Sequence, residues 1–278
     1  MAIITISRGS YSRGTEVAEK VADKLGYTCL AREVILEASE EYNVPELKLL
    51  RAVEDGPSLL DRLTRGKERY IAYVRAALLK NFLQDNVVYH GLAGHFFLQD
   101  ISHVLKARIM SSIEDRVARV VERDKVSEKE AMQILTSTDR SRQQWGLRMY
   151  RIDPSDPSLY DAVIHVGKMG VDGAVDMLCK MVEQEAFQTT PESQARLQDL
   201  SLAASVEASV MEMRIDRQGL EVTASDGRVL VRLGNPRVRA GSFSRFGDHY
   251  AEELRRRLLP LMAGQPGFSD IEIEAPHE

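Results

Sequence analysis

The feature that most constrains the fold of this chain is an alternation of short apolar strands with amphipathic helices over its first 185 residues. Strand-like runs occupy residues 2–6, 27–31, 86–91, 103–110 and 160–166. Between them apolar residues recur at helical spacing, and Ser112 with Asp115 and Ser127 with Glu130 fit a helix-capping pattern. Such alternation predicts an α/β fold with a parallel sheet, helices on both of its faces, and ligands beyond the carboxyl ends of its strands.

The character of the sequence changes after Glu185. Residues 186–195 are polar and include Pro191, so we predict a linker there between a first domain at 1–185 and a second at 196–278. The second domain is expected to contain a helix at about 194–213, two strands, a helix and a last strand. Asp226 and Gly227 lie between two alternating runs, which predicts a β-hairpin in a small α+β domain.

Composition excludes several classes of partner. The net charge of −5 over 278 residues argues against a chain that coats nucleic acid along its surface, so no nucleic-acid partner is expected. No apolar run is long enough to span a bilayer and the start lacks a signal-peptide pattern, so we expect a cytoplasmic protein without stable membrane insertion. Cys29 and Cys179 lack metal-ligand spacing and are expected to be packed thiols in a reducing cytosol.

A candidate phosphate-binding loop, TISRGSYSRGTEV, spans residues 5–17. Gly9 and Gly14 lie between a predicted strand and a predicted helix, which is where backbone N–H groups and a helix N-terminus can hold phosphate. The lysine that usually follows the last glycine is absent, and Arg13 or Arg8 could replace its charge. Thr15 supplies a hydroxyl suited to Mg²⁺.

The same loop has an alternative interpretation. Glu16 suits the first turn of a helix, but its carboxylate repels an incoming phosphate. A strand-to-helix turn in which the glycines serve backbone geometry alone explains the segment equally well.

A second candidate segment precedes the last strand of the first domain. Arg140, Arg142, Arg148 and Arg151 crowd it, and arginine forms always-charged, bidentate phosphate contacts. A mobile arginine-bearing flap over a phosphate site is a common device for phosphoryl transfer. The alternative is a solvated basic helix face, balanced by nearby aspartates. Trp145 in this segment could stack on a base or anchor the segment.

Six segments together resemble the cytidylate kinase-like family, a branch of the P-loop nucleoside monophosphate kinases. They occur in the family's order and cover most of residues 1–185. The resemblance implies a P-loop kinase-like sheet of five parallel strands and transfer of the ATP γ-phosphate to CMP or dCMP with Mg²⁺. The six segments are ITISRGSYSRGTEVAEKVADKLGY, AREVILEAS, NVVYHGLAGHFFL, ARIMSSIEDRVARVVERDKVSEKEAMQIL, TDRSRQQWGLRMYRID and LYDAVIHVGKMGVDGAVDML.

The resemblance, together with the loop and flap interpretations, implies three groups of site residues. The cations expected to assist catalysis are Arg13, Arg140 and Arg142. The residues expected to bind ATP, with Thr15 also the Mg²⁺ ligand, are Arg8, Gly9, Ser10, Ser12, Gly14, Thr15, Arg119 and Arg123. The residues expected to bind the pyrimidine monophosphate are Arg32, Asp139 and Arg148.

Departures from the family pattern put parts of this function in doubt. Leu92 stands where the family often has an arginine that would contact the monophosphate. Tyr11 and Arg13 replace two glycines of the loop, and a Cβ atom disfavours the positive φ that the usual backbone nest needs. His90 and His95 lie nearby and could act as donors, although packed or surface histidines are commoner.

The second domain faintly resembles a BON domain in its element order and in ASDGRVLV. That resemblance implies phospholipid or protein contacts, and clustered arginines could meet a protein or an anionic surface, although a solvated helix face is the simpler explanation. Three functions therefore compete: an active kinase, a nucleotide-binding sensor or pseudokinase that signals through this domain, and a structural protein whose loop is closed by Tyr11 and Arg13.

Overall fold

The computed structural model describes residues 1–54, 66–91, 94–213, 220–234 and 243–274. The chain divides into two compact units, which are residues 1–67 with 84–190 and residues 68–83 with 191–278. The boundary between Thr190 and Pro191 falls inside the stretch predicted as a linker. That stretch contains a 3₁₀ turn at Glu185–Phe187 and the first residues of a long helix.

The first unit is built on a sheet of five parallel strands in the order β2-β3-β1-β4-β5. This confirms the predicted α/β fold. The central strand β1 is fully buried at Ile3 and Ile4, which explains its apolar sequence. The strands are β1 (Ile3–Arg8), β2 (Thr28–Leu30), β3 (Val87–His90), β4 (Val104–Met110) and β5 (Ala162–His165). Because β1 lies between β3 and β4, the loop that follows it opens at the centre of the carboxyl edge.

Helices of the first unit pack around this sheet. Ser112 caps the N-terminus of α6 and Ser127 forms a capping box with Glu130 at α7, which confirms both predicted caps. Helix α7 continues to Tyr150 and Arg151 is its C-cap, so the arginine-rich segment forms its second half and its end. The helices are α1 (Gly14–Leu25), α2 (Glu33–Glu41), α3 (Glu46–Glu54), α5 (Gly94–Phe97), α6 (Ile113–Asp124), α7 (Glu128–Tyr150) and α8 (Val166–Val182).

The second unit is a small α+β arrangement with its own core. A mixed sheet in the order β6-β7-β8 packs on α9 and α10 through Val206, Val231 and Leu258. The predicted hairpin is present, with positive φ at Asp226 and Gly227. Its elements are α9 (Pro191–Glu212), β6 (Glu221–Ser225), β7 (Arg228–Arg232), α10 (Phe243–Met262) and β8 (Asp270–Glu274).

Helix α4 (Gly66–Phe82) is assigned largely to this second unit. An ion pair of 2.9 Å between Arg75 and Glu207 joins it to α9. Sequence periodicity predicts the helix but not the unit to which it belongs. Within the described ranges, no helix combines the length and apolarity needed to cross a membrane.

Candidate active site

The loop between β1 and α1 adopts a tight turn despite its two departures from glycine. Tyr11 and Arg13 have φ of 60° and 65°, so both side chains are accommodated in the left-handed region where a Cβ was expected to be disfavoured. The Ser12 hydroxyl lies 2.9 Å from the carbonyl oxygens of Gly9 and Ile109, which ties the loop to β4. The loop is therefore held against the sheet and leads directly into the N-terminus of α1.

Glycine is required at the start of α1 because Arg8 passes close by. A Cβ atom on Gly14 would lie 2.7 Å from the Cβ of Arg8. The Arg8 side chain therefore reaches across the first turn of α1, where its Nη1 contacts the hydroxyl of Thr15.

A cavity of about 750 Å³ opens beside the loop. All the predicted ATP-binding residues except Gly9 line it, and five arginines against three glutamates give it a net positive lining suited to a polyphosphate. Tyr11 and Arg13 form part of this wall and leave the cavity open, which argues against a loop closed by its own side chains. The lining is Arg8, Ser10, Tyr11, Ser12, Arg13, Gly14, Thr15, Glu16, Glu19, Arg119, Glu122, Arg123, Thr138 and Arg142.

A smaller cavity of about 440 Å³ lies at the carboxyl ends of β1, β2 and β3. It combines cationic and apolar groups, which suits a small anion attached to an apolar or aromatic body. Its lining is Ser7, Arg8, Thr15, Ala31, Arg32, Ile35, Leu50, Tyr89, His90, Gly91 and Arg142.

The two cavities share three lining residues, Arg8, Thr15 and Arg142. Arg8 Nη1 contacts the Thr15 hydroxyl and lies 3.3 Å from Nδ1 of His90. Arg142, from the second half of α7, donates to the Arg8 carbonyl oxygen at 3.4 Å. Two guanidinium groups therefore stand where a ligand in one cavity would meet a ligand in the other.

Arg13 is turned toward its own helix. Its Nε and Nη2 each donate to the Glu16 carboxylate at 2.7 Å, and this hydrogen bonding lowers the pKa of Glu16 below its usual value. The pair satisfies the carboxylate in the first turn of α1. Of the two arginines proposed to replace the missing lysine, Arg8 is the one at the junction of the cavities.

Asp139 is tied to the loop and lines neither cavity. Its Oδ1 accepts from the Ser10 hydroxyl at 2.7 Å and from the Ser10 amide at 3.3 Å. Arg116, which sequence reasoning missed, pairs with Asp139 and donates to the Ser10 carbonyl oxygen at 2.7 Å. Arg116 precedes Arg119 by three residues and Arg123 by seven, so helical spacing was a signal that could have revealed it.

The other predicted site residues are dispersed. Arg32 lines the smaller cavity while pairing with Glu46, whereas Arg140 is exposed on α7 and lines neither cavity. The guanidinium of Arg123 lies 4.6 Å from the centre of the Tyr11 ring, so it covers the loop from the side of α6. The side chain of Arg148, and Leu92 altogether, fall outside the described residues.

Three aromatic groups named from the sequence are buried. His90 lines the smaller cavity, whereas His95 packs on Phe96 and Tyr160, and burial is the main cause that lowers their pKa values to about 4 and about 3. Both rings are therefore neutral at neutral pH. Trp145 is 1% exposed and lies among aromatic rings, so it anchors α7 in this structure and does not face either cavity.

Comparison with known proteins decides the family. The model of the cytidylate kinase-like family matches residues 3–168. The chain belongs to this family. A cytidylate kinase of Sulfolobus acidocaldarius is 25% identical over 183 residues, which cover 66% of this chain and 94% of the relative. A cytidylate kinase of Archaeoglobus fulgidus is 26% identical over 185 residues, which cover 65% of this chain and 94% of the relative.

A solved structure shares the fold of this chain. The crystal structure of an uncharacterized protein from Eubacterium ventriosum superposes with a TM-score of 0.50 at 23% identity, over 66% of this chain and all of the other. The matched family region and the loop, sheet and cavities of the first unit give a nucleoside monophosphate kinase-like, nucleotide-binding protein. The BON-like resemblance of the second domain stays a prediction.

Proposed function

We propose that the protein transfers the γ-phosphate of ATP to CMP or dCMP. ATP occupies the larger cavity and the pyrimidine monophosphate occupies the smaller one. The observation that carries this proposal is that the two cavities meet, since Arg8, Thr15 and Arg142 line both of them. The choice of a cytosine acceptor follows the family and the names of the archaeal relatives.

The residues around the larger cavity fit ATP and Mg²⁺. Its five arginines and the N-terminus of α1 match a polyphosphate. Mg²⁺ keeps several waters and commonly takes only one or two protein ligands beside phosphate oxygens, so the Thr15 hydroxyl would suffice. The ion would neutralise charge on the outer phosphates. In this structure the Arg8 guanidinium contacts the Thr15 hydroxyl. We expect the Arg8 side chain to turn to the phosphates when Mg·ATP binds.

The proposed roles follow from the positions of the side chains. Backbone N–H groups at the start of α1 hold the β-phosphate, because those of Gly9, Ser10 and Ser12 already donate to other groups of the protein. Arg8 with Arg142 neutralises the transferring group. Arg32 holds the monophosphate at the smaller cavity. No general base is needed, because phosphoryl transfer of this kind has a loose transition state that depends mainly on positioning and charge neutralisation. Catalytic roles for Arg13 and Arg140 remain predictions.

Turnover with a panel of acceptors tests the proposal. Purified protein is incubated with Mg·ATP and CMP, dCMP, UMP or AMP, and ADP is followed. We expect turnover with CMP or dCMP, and a fall in kcat of about 100-fold or more in Arg142→Ala. Lys129→Ala is the matched control, because Lys129 is an exposed cation on the same helix that lines neither cavity, and we expect a change of less than about threefold. Equal losses in both variants, or no turnover, would contradict the proposal.

A nucleotide-binding sensor is the second candidate. Internal groups already occupy parts of the loop, because Asp139 accepts from the Ser10 amide and Glu16 holds Arg13. A protein of this kind would bind nucleotide without turnover and act through the second domain on a protein or an anionic surface. A rise in the melting temperature with millimolar ATP or CMP, without ADP formation, favours this function over the kinase.

A further inference from the structure

His90 lies beside the Arg8 guanidinium and lines the smaller cavity. It is the last residue of β3, and its side chain is only 9% exposed. Its Nδ1 lies 3.3 Å from Nη1 of Arg8, a residue 82 positions away. The ring therefore touches the side chain that stands at the junction of the cavities.

The contact with Arg8 determines which ring nitrogen carries the proton. A guanidinium group can only donate hydrogen bonds, so Nδ1 of His90 must accept with its lone pair. The neutral ring then carries its proton on Nε2. Nε2 makes no hydrogen bond within the part of the chain that the structure describes. The smaller cavity thus contains a donor that is fixed in orientation and carries no charge.

We propose that His90 positions the acceptor by donating its Nε2–H to an oxygen of the monophosphate group. The proposal rests on the proposed function, in which that group lies between Arg8 and Arg142. Because His90 contacts Arg8, a phosphate at that point comes within reach of the imidazole, while Ile35 and Leu50 remain for the nucleoside. A neutral donor orients the phosphate without adding positive charge that would make its attacking oxygen less nucleophilic.

Two substitutions at this position separate a contact with the acceptor from support of Arg8. In His90→Gln the side-chain amide reaches the place of Nε2 and keeps a donor for the phosphate. In His90→Asn the amide reaches only the place of Nδ1, so it keeps an acceptor for Arg8 and loses the donor. A role in acceptor binding and a role in holding Arg8 therefore predict opposite orders for the two variants.

Titration calorimetry with CMP, cytidine and Mg·ATP gives the readout without requiring turnover. We expect His90→Asn to bind CMP about 10- to 100-fold more weakly than the wild type, because a hydrogen bond to a charged group is lost. His90→Gln should stay within about threefold of the wild type, and neither variant should change binding of cytidine or Mg·ATP. Fluorescence of Trp145, the single tryptophan, checks that both variants are folded.

Each other result overturns the proposal. Unchanged CMP binding in His90→Asn would show that His90 does not donate to the monophosphate group. A larger loss in His90→Gln than in His90→Asn would make the residue a support for Arg8. Equal losses for CMP and cytidine would indicate a structural role. A wild type that binds no CMP would refute the proposed function together with this inference, whereas binding without turnover would refute the kinase alone.

Discussion

Arg116→Ala should loosen the candidate phosphate loop. Arg116 is only 13% exposed, and it donates to the Ser10 carbonyl oxygen, to the Ser10 hydroxyl and to Asp139. Hydrogen bonds that involve a charged group each contribute about 1.5–3 kcal/mol when buried. Asp139 is 41% exposed and would be partly hydrated in the variant, so the loss of its ion pair with Arg116 contributes less to the destabilisation. We therefore expect the free energy of unfolding to fall by about 2–3 kcal/mol.

Urea unfolding followed by fluorescence measures this loss. Trp145 is the single tryptophan and lies in α7 of the same unit, so its signal reports that unit. Arg123→Ala is the control, because Arg123 lies two turns further along α6, is 63% exposed and pairs with Asp124. Because Arg123 also contacts the Tyr11 ring of the loop, Arg123→Ala should lower the free energy of unfolding by no more than about 1 kcal/mol. An Arg116→Ala variant as stable as this control would refute the view that Arg116 holds the loop.

Three further predictions concern a carboxyl group, an imidazole and a glycine. Burial raises the pKa of Asp139, but hydrogen bonds from the loop and α6 outweigh burial and hold the pKa below its ordinary value. In urea titrations the stability lost in Asp139→Asn at neutral pH should therefore begin to shrink below about pH 4 and vanish below the pKa of the folded protein. Nitrogen NMR at pH about 6 should find His90 neutral with its proton on Nε2, since burial lowers its pKa to about 4. Gly227→Ala should cost more than about 2 kcal/mol in circular-dichroism melts, because its Cβ would lie 2.0 Å from the Gly267 carbonyl oxygen, whereas Gly264→Ala meets nothing within 4 Å.

Local signals in the sequence predict the sheet and most helices. The apolar runs of the five strands and the capping pairs of α6 and α7 depend on neighbouring residues only, and the structure confirms them. Helix α3 was missed because the stretch from Pro45 to Gly66 lacks clear periodicity. The unit to which α4 belongs was also missed, because a helical stripe does not reveal which core it covers.

The candidate site likewise combines features that local sequence signals predict with features that only the folded chain reveals. Its place at the carboxyl end of β1 follows from the order of the elements, and the Arg13–Glu16 pair follows from a spacing of three residues. The partner of Asp139 could not be predicted, because Ser10 is 129 residues away and only the packing of α7 against the loop brings them together. The contact between Arg8 and His90 likewise requires β1 and β3 to be neighbours.

In the proposed kinase, a nucleoside triphosphate and a nucleoside monophosphate meet at Arg8, Thr15 and Arg142. The most direct test is calorimetric binding of a bisubstrate ligand in which adenosine and cytidine are joined through a polyphosphate chain. One molecule should bind per chain, at least about 100-fold more tightly than ATP or CMP alone, because the second half binds intramolecularly. Two molecules per chain, or an affinity no better than that of ATP alone, would show that the two cavities do not form one site.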